Sequence, residues 1–516
     1  MRLSRADFHH GFYVLATGLL LAFMPLSHFA MGLITFLLLL NWIAEWNWRE
    51  KTQRIRENWQ GLLYSALYVV ICIGLIKTDN WYEAGQQMLG NLVLLFAPII
   101  VISSKPFSDK EIRWLLNAFI LGTLIGVICS LAYWFTHDVR EIRQISIFID
   151  HIRFSLCIVL SIVFSTKLMI EKSNTGDLAR LAYMANILLL TAYMFVSQTL
   201  TGVVVLVLIM ILALFYLLLK RHILEKKSAV LALLFLLVAF SAYITGITYR
   251  YFHDQDTQLE SLTTAKGNPY EFANDGFVEN GHRVHDYICR AEMAEAWALR
   301  SDTSYSVMIE ATLIRYLNSK GLHKDYEAVM SLSDKDIRHV ERMIANVDYT
   351  RPFGLKRALY QTYFCISKYR LNQDIQESSL MQRIELWKAS WVVVKDNWLL
   401  GVGIGDQKAE LDRQLEIMQS PIAHKHNRGC HNQFLSYWLT GGIVLVAYFL
   451  FLLFFPIVGM KRRPSFMVIV LILTLFCSIL VEDTVDSQTG RMLYAILLPI
   501  LLFNERNGVP VSNAMA

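Results

Sequence analysis

Apolar runs long enough to cross a bilayer recur from Gly11 to Thr248 and again after His431, and they stop between roughly Arg250 and Cys430. A helical crossing needs about 17–25 predominantly apolar residues, and backbone polar groups inside lipid must bond within their own segment. The pattern therefore demands a multi-pass helical bundle with one large domain outside the lipid. Composition agrees: 55% of the 516 residues are hydrophobic and 18% charged, too apolar for a soluble chain of this length.

About twelve spans are expected: Gly11–Met24, His28–Trp42, Gly61–Ile76, Gln87–Ile102, Ile112–Phe135, Ile152–Met169, Leu181–Val196, Thr201–Leu219, Ser228–Thr248, His431–Ile457, Phe466–Val481 and Arg491–Phe503. The expected domains are an N-terminal transmembrane bundle over 1–249, a helical extramembrane domain over 250–430, and C-terminal transmembrane helices with a tail over 431–516. The first apolar stretch has no small-residue cleavage site and is soon followed by another, so it reads as a retained helix rather than a removed signal peptide.

Lysine and arginine set the orientation. With the N-terminus inside, the cytoplasmic segments carry Arg2 and Arg5; Arg49, Lys51, Arg54 and Arg56; Lys105, Lys110 and Arg113; Lys167, Lys172 and Arg180; Lys220, Arg221, Lys226 and Lys227; and Lys461, Arg462 and Arg463. The opposite connections are short, or acidic as at Glu482-Asp483, except for Arg140–Arg153. Both termini are then cytoplasmic and the large loop lies outside. This bias also accounts for the net charge of +5 without a nucleic-acid partner. The seven cysteines are scattered with no CxxC pair, so no essential disulfide framework is expected.

Within the loop, periodicity predicts helices over Asp286–Arg300, Tyr305–Lys320, Ser333–Asn346 and Gly354–Leu371, with turns at Asn268-Pro269 and Arg351-Pro352. A further helix, Ser379–Lys395, puts Leu380, Ile384, Trp387 and Trp391 on one stripe with Arg383 one turn before Trp387. Tryptophans on such a stripe suit a membrane interface, so this helix is expected to lie on the outer leaflet with Arg383 towards the headgroups.

The polar residues that stand out each have an ordinary explanation beside a functional one. Gly401, Gly403 and Gly405 in GVGIGD lack dinucleotide spacing; they read as a flexible turn, or as a close backbone approach to phosphate or sugar. HKHNRGCH, with His424, His426, Cys430 and His431, lacks the second spaced pair of a closed zinc site, so no metal is expected. His431 differs from its neighbours because it abuts an apolar run, where an ionisable group is a functional candidate. Arg153, beside Asp150 and His151, is either a snorkelling cation or a phosphate grip. Arg491, near Glu482, Asp483 and Asp486, is expected in an internal ion pair.

In order, Arg383 and Trp387, Gly401–Gly405, His431-Asn432 and Gly441-Gly442, with one large late loop, resemble the O-antigen ligase and polymerase family of bacterial envelope glycosyltransferases. ATLIRYLNSKGLHKDYEAVMSLSDKDIRHVERMIANVDY, with HIRFSL and VEDTVDSQTG, is similar to a branch with a long helical insert. The resemblance implies an all-α polytopic, GT-C-like membrane protein of the bacterial inner membrane with a periplasmic helical domain. It implies glycan transfer from undecaprenyl pyrophosphate to an acceptor hydroxyl at the periplasmic face, with no metal or other cofactor. By position, His431 would be the catalytic histidine and Arg383 a pyrophosphate contact, with Arg153, Gly401, Gly403, Gly405 and Asn432 as substrate contacts. Many members carry an Arg after the Ser in the connection before a late span, where this chain reads Ser197-Gln198-Thr199; Arg153 is the expected substitute.

The chemistry is coherent on its own terms: a pyrophosphate leaving group suits the bidentate fork of Arg, and an acceptor hydroxyl suits a His base. A ligase-type reaction onto lipid A-core or another acceptor is expected first. A polymerase and a protein O-oligosaccharyltransferase are the nearest alternatives, the acceptor being a glycolipid, a glycan or a protein. A flippase for the same lipid-linked glycans would show inverted repeats and a midplane site, and neither is visible. A protein-binding role for the outer domain is the remaining reading.

Overall fold

Side-chain caps encoded just before the apolar runs start most helices of the bundle. Ser4 caps α1 (Arg5–Phe23), Ser27 caps α2 (His28–Ala44), Asn80 caps α5 (Trp81–Ser103), and Ser108 with Glu111 makes a capping box on α6 (Asp109–Thr136). Asp150 caps α7 (His151–Ile170), Asn432 caps α18 (Gln433–Val458), and Ser465 caps α19 (Phe466–Ile479). The bundle is completed by α3 (Trp48–Glu57), α4 (Gly61–Ile71), α8 (Asp177–Val196), α9 (Leu200–Leu219), α16 (Ser379–Asp396), α17 (Gln407–Ile417), α20 (Gln488–Met492) and α21 (Leu498–Asn504), the last two joined by a π-helical stretch.

The structure is a computed structural model that describes residues 4–137, 139, 142–171, 176–219, 227–255, 261–273, 275–350, 355–371, 378–425, 428–460 and 464–504. Expectations at Arg2, Arg140, Lys172, Lys220, Arg221, Lys226, Arg351-Pro352, His426, Lys461, Arg462 and Arg463 lie outside the described residues.

Seven described helices are long and apolar enough to cross a membrane: Trp81–Ser103, Asp109–Thr136, His151–Ile170, Asp177–Val196, Leu200–Leu218, Val230–Phe252 and Gln433–Val458. The chain is thus an all-α, multi-pass membrane protein. The expected twelve is reached only by adding shorter elements: α1, the α2–α3 pair bent by 112°, Gly61–Leu75, α19 and the α20–α21 region.

The chain folds as two compact units, Met1–Ile209 with Ser379–Ala516, and Met210–Ser378. This differs from the expected boundaries at 250 and 430, for packing reasons. Leu386 and Ala389 of α16 share a buried cluster with Leu411, Leu415, Ile422 and Cys430, and Val393 and Val394 pack on Leu439 of α18, so 379–430 folds with the bundle. The helix α10 (Lys227–Phe252) goes with the second unit because Ile247 and Tyr251 pack on Tyr360.

That second unit contains α11 (Arg290–Arg300), α12 (Val307–Ser319), α13 (Tyr326–Ser331), α14 (Asp334–Glu341) and α15 (Leu355–Arg370), close to the expected helices. A two-residue-per-strand hairpin, Val278–Glu279 with His282–Arg283, was not anticipated. Its core gathers Trp297, Leu313, Tyr316, Leu317 and Val329, and the buried Glu279 forms an ion pair with Arg315 at 2.8 Å. All seven cysteines are free.

One feature of the bundle unit fixes where the site sits. The intrahelical bond between Leu439 and Ile443 of α18 is opened, and the segment after α16 takes both ends: Val402 N donates to Leu439 O at 2.7 Å, and Ile443 N donates to Trp398 O at 3.0 Å. Gly442 makes this possible at φ 68, with the place of a Cβ only 2.0 Å from Leu399 O; Gly401, also at φ 68, faces Leu439 O at 2.3 Å. The helix α16 therefore runs beside the first two turns of α18 rather than lying flat on a leaflet.

Candidate active site

His431 and Asn432 lie together at the entry to α18. Asn432 Oδ1 accepts from the N–H groups of Phe434 and Leu435 at 3.0 and 3.1 Å, closing the helix start. Just before it, His431 sits at φ 51, a left-handed conformation unusual for a residue with a Cβ. Asp483 holds it there: one carboxylate oxygen accepts from His431 N at 3.0 Å and the other from Asn432 N at 2.9 Å. Asn432 Nδ2 also donates to Leu480 O at 3.0 Å, tying the start of α18 to the end of α19.

Glu482, next to Asp483, is the point where the charged groups converge. His431 Nδ1 lies 3.1 Å from Glu482 Oε2, Arg383 Nη2 bonds Glu482 Oε1, and Arg153 Nη2 is 3.8 Å from Oε2. The Glu482 side chain is only 7% exposed, so its charge needs those partners. Burial acts to raise its carboxyl, but the hydrogen bond with His431 and the charges of Arg383, His431 and Arg153 outweigh burial and hold it below the usual carboxylate range. Arg153 also approaches Asp150 at 3.7 Å, and its buried Nε has no hydrogen-bond partner among the described residues. A guanidinium has five N–H donors, so an arginine that touches Glu482 still has donors for a second anion.

Of the sequence candidates, Arg153, Arg383, His431 and Asn432 thus come together. Gly401, Gly403 and Gly405 do other work: beyond Gly401 against α18, Gly403 meets Thr78 and Gly405 meets Asn80 O at 2.2 Å from the place of a Cβ. Asp406 completes that dock by accepting from Asp79 N at 2.8 Å and Asn80 N at 3.2 Å. The turn is tightly packed against protein backbone, where either flexibility or close approach to a phosphate was expected. Arg383 points into the Glu482 cluster and not to headgroups. Arg491, expected in an ion pair, instead donates to the carbonyls of Val485, at 3.2 Å, Asp486 and Gly90.

Sequence reasoning saw Glu482 and Asp483 as acidic loop residues and as neighbours of Arg491 in an ion pair, not as partners of His431 and Arg383. The available signal was their place in VEDTVD at the end of an apolar run, the same boundary position that drew attention to His431.

Residues 353–450 match the family model described as O-antigen ligase. The matched stretch includes Arg383, Gly401, Gly403, Gly405, His431 and Asn432, and leaves out Arg153 and Glu482. No curated protein matches the chain.

Proposed function

We propose, from the match of residues 353–450 to the O-antigen ligase family model, that this chain transfers a glycan from undecaprenyl pyrophosphate to an acceptor hydroxyl at the periplasmic face of the inner membrane. The observation that carries the reading is the single buried carboxylate, Glu482, shared by His431, Arg383 and Arg153. His431 is the base. With Nδ1 protonated and directed at Glu482, Nε2 is left as the acceptor for the hydroxyl proton. The acceptor oxygen attacks the anomeric carbon while the sugar–phosphate bond breaks, and the electron pair leaves on the pyrophosphate. Arg383 and Arg153 stabilise that developing charge. Two guanidiniums supply the positive charge, so the mechanism uses no metal.

The acceptor we favour is a glycolipid such as lipid A-core, a ligase-type reaction; a growing glycan or a protein hydroxyl would use the same chemistry. The glycans of a deletion strain separate them: loss of all polymer on lipid A marks a ligase, single-repeat chains a polymerase, and an unglycosylated secretome a protein transferase.

The purified protein with lipid-linked donor tests the mechanism. Removing a general base costs about 10²–10⁴ in rate, so His431→Ala should nearly abolish product while expression and insertion stay normal. His424→Ala should stay active and chelator should not inhibit. A fully active His431→Ala overturns the assignment, and inhibition by chelator replaces the base with a metal site.

A further inference from the structure

The connection between α5 and α6, residues 104–108, borders a small cavity at the end of the bundle away from the Glu482 cluster. One crossing, α6, separates it from the start of α7, where Arg153 meets Glu482. The cavity holds about 140 Å³. Its floor is apolar and set by the fold: Ile102, Phe107 and Phe503 are buried, and the Tyr13 ring stacks on Phe107 at 4.7 Å. The Asn504 side chain clamps the Phe107 backbone, accepting from its N–H at 2.6 Å and donating to its carbonyl at 2.8 Å. Preformed hollows of this kind are the common form of small-ligand sites.

The mouth carries both signs of charge, from Arg54, Glu57 and Lys105. Arg54 is engaged, bonding Glu50 at 2.6 Å and Ser103 O at 3.2 Å. The other two are exposed and lack a charged partner among the described residues. Lys105 makes no hydrogen bond or ion pair there, and Glu57 only accepts from Gln53 Nε2 at 2.9 Å. Solvated single charges are ordinary on a surface. These two line the same hollow without pairing with each other, so a ligand entering it meets a cation and a carboxylate together.

Position narrows the ligand. The cavity lies just past the end of α5 and just before the start of α6, both candidate spans, which is the depth of lipid headgroups. A headgroup that joins a phosphate to a primary ammonium matches both charges. Its phosphate takes Lys105 and the N–H donors that Arg54 has left of its five, and its ammonium donates to Glu57. A glycerol headgroup brings no cation for Glu57, and a trimethylated ammonium brings no N–H.

We propose that this cavity binds the phosphoethanolamine headgroup of a membrane phospholipid, with Lys105 on the phosphate and Glu57 on the ammonium. The bound headgroup joins α3, the α5–α6 connection and α21, so occupancy stabilises the bundle. The proposal does not depend on the reading of the Glu482 cluster.

The test uses full-length protein in detergent with defined phospholipids of identical acyl chains. Phosphatidylethanolamine should raise Tm and remain bound in native mass spectra. Phosphatidylglycerol and phosphatidylcholine should each bind about tenfold more weakly, the loss of one charge-assisted hydrogen bond. Lys105→Ala should weaken phosphatidylethanolamine and phosphatidylglycerol alike, whereas Glu57→Gln should remove the preference for phosphatidylethanolamine and leave phosphatidylglycerol as before. Both side chains are exposed, so Tm without lipid should stay near wild type in each variant. Lipid binding that neither substitution alters would place the lipid elsewhere and overturn the site. Equal affinity of wild type for phosphatidylethanolamine and phosphatidylglycerol would leave Glu57 without a role and sink the headgroup assignment. Equal protection by equimolar water-soluble phosphoethanolamine would mean a soluble ligand in place of a lipid, and would also defeat the proposal.

Discussion

Glu482 carries little exposed surface and three cationic or protonatable neighbours, so its ionisation reports on the site. A carboxylate held below its ordinary range contributes stability that is present above the unfolded pKa and lost as pH falls through the folded one. Asp483 and Asp486 shift the other way, burial being the largest cause in each, so the whole-protein curve mixes signs. The informative quantity is the difference between wild type and Arg383→Ala. Removing Arg383 takes away one of the charges that offsets burial at Glu482, so the gap in Tm should be widest near neutral pH and close as pH falls through the carboxylate range. A gap that widens on acidification would mean that Arg383 stabilises through something other than Glu482. For activity, Arg383→Ala should weaken transfer more than Arg383→Lys, since Lys keeps the charge but loses the fork; equal, full activity of both would leave Arg383 a structural partner. His431 was legible as a candidate because it sits beside an apolar run, whereas the amphipathic stripe turned Arg383 towards the headgroups and the family resemblance alone brought it to the site. Glu482 was not, because its meaning comes from residues 51 and 99 positions away, which no local pattern reports.

At the scale of elements, the break in α18 is held by backbone fit. A Cβ on Gly442 would lie 2.0 Å from Leu399 O, and the residue is at φ 68. Strain at a single such position costs about 1–3 kcal/mol, and here a backbone collision adds to it. Gly442→Ala should therefore lower Tm by several degrees and weaken transfer, by displacing the first turns of α18 that position His431. Gly85→Ala, where a Cβ meets nothing within 4 Å, is the control and should be near neutral. If both variants melt alike, the opened Leu439–Ile443 bond is not a structural constraint. The helices of the second unit were readable from local periodicity. GVGIGD was misread because the surfaces it docks on, Leu439 and Thr78–Asn80, are distant in sequence, and glycines that avoid a backbone look the same as glycines that flex.

For the whole molecule, the site constrains the topology. Arg153 begins α7, His431 precedes α18 and Glu482 follows α19, and their meeting puts all three chain points on one side of the bilayer. An even number of crossings must then separate them, so α19 has to cross although it is only 14 residues long. Four candidate spans, α7 to α10, separate Arg153 from the chain after Phe252, again an even number. The orientation proposed from the cations puts the site outside: Lys105, Lys110 and Arg113 flank the start of α6, and Lys167 and Arg180 flank the connection between α7 and α8, both opposite the site. A reporter that is active only when exported, fused after Lys266, should therefore be active, and the same reporter fused after Lys105 should be silent. The reverse result would invert the protein in the membrane and remove the periplasmic acceptor. Silence at both positions, with normal expression, would mean an even number of crossings from α6 to α10 instead of five, hence, with α6 crossing, an odd number from α7 to α10, in conflict with the Arg153–Glu482 contact.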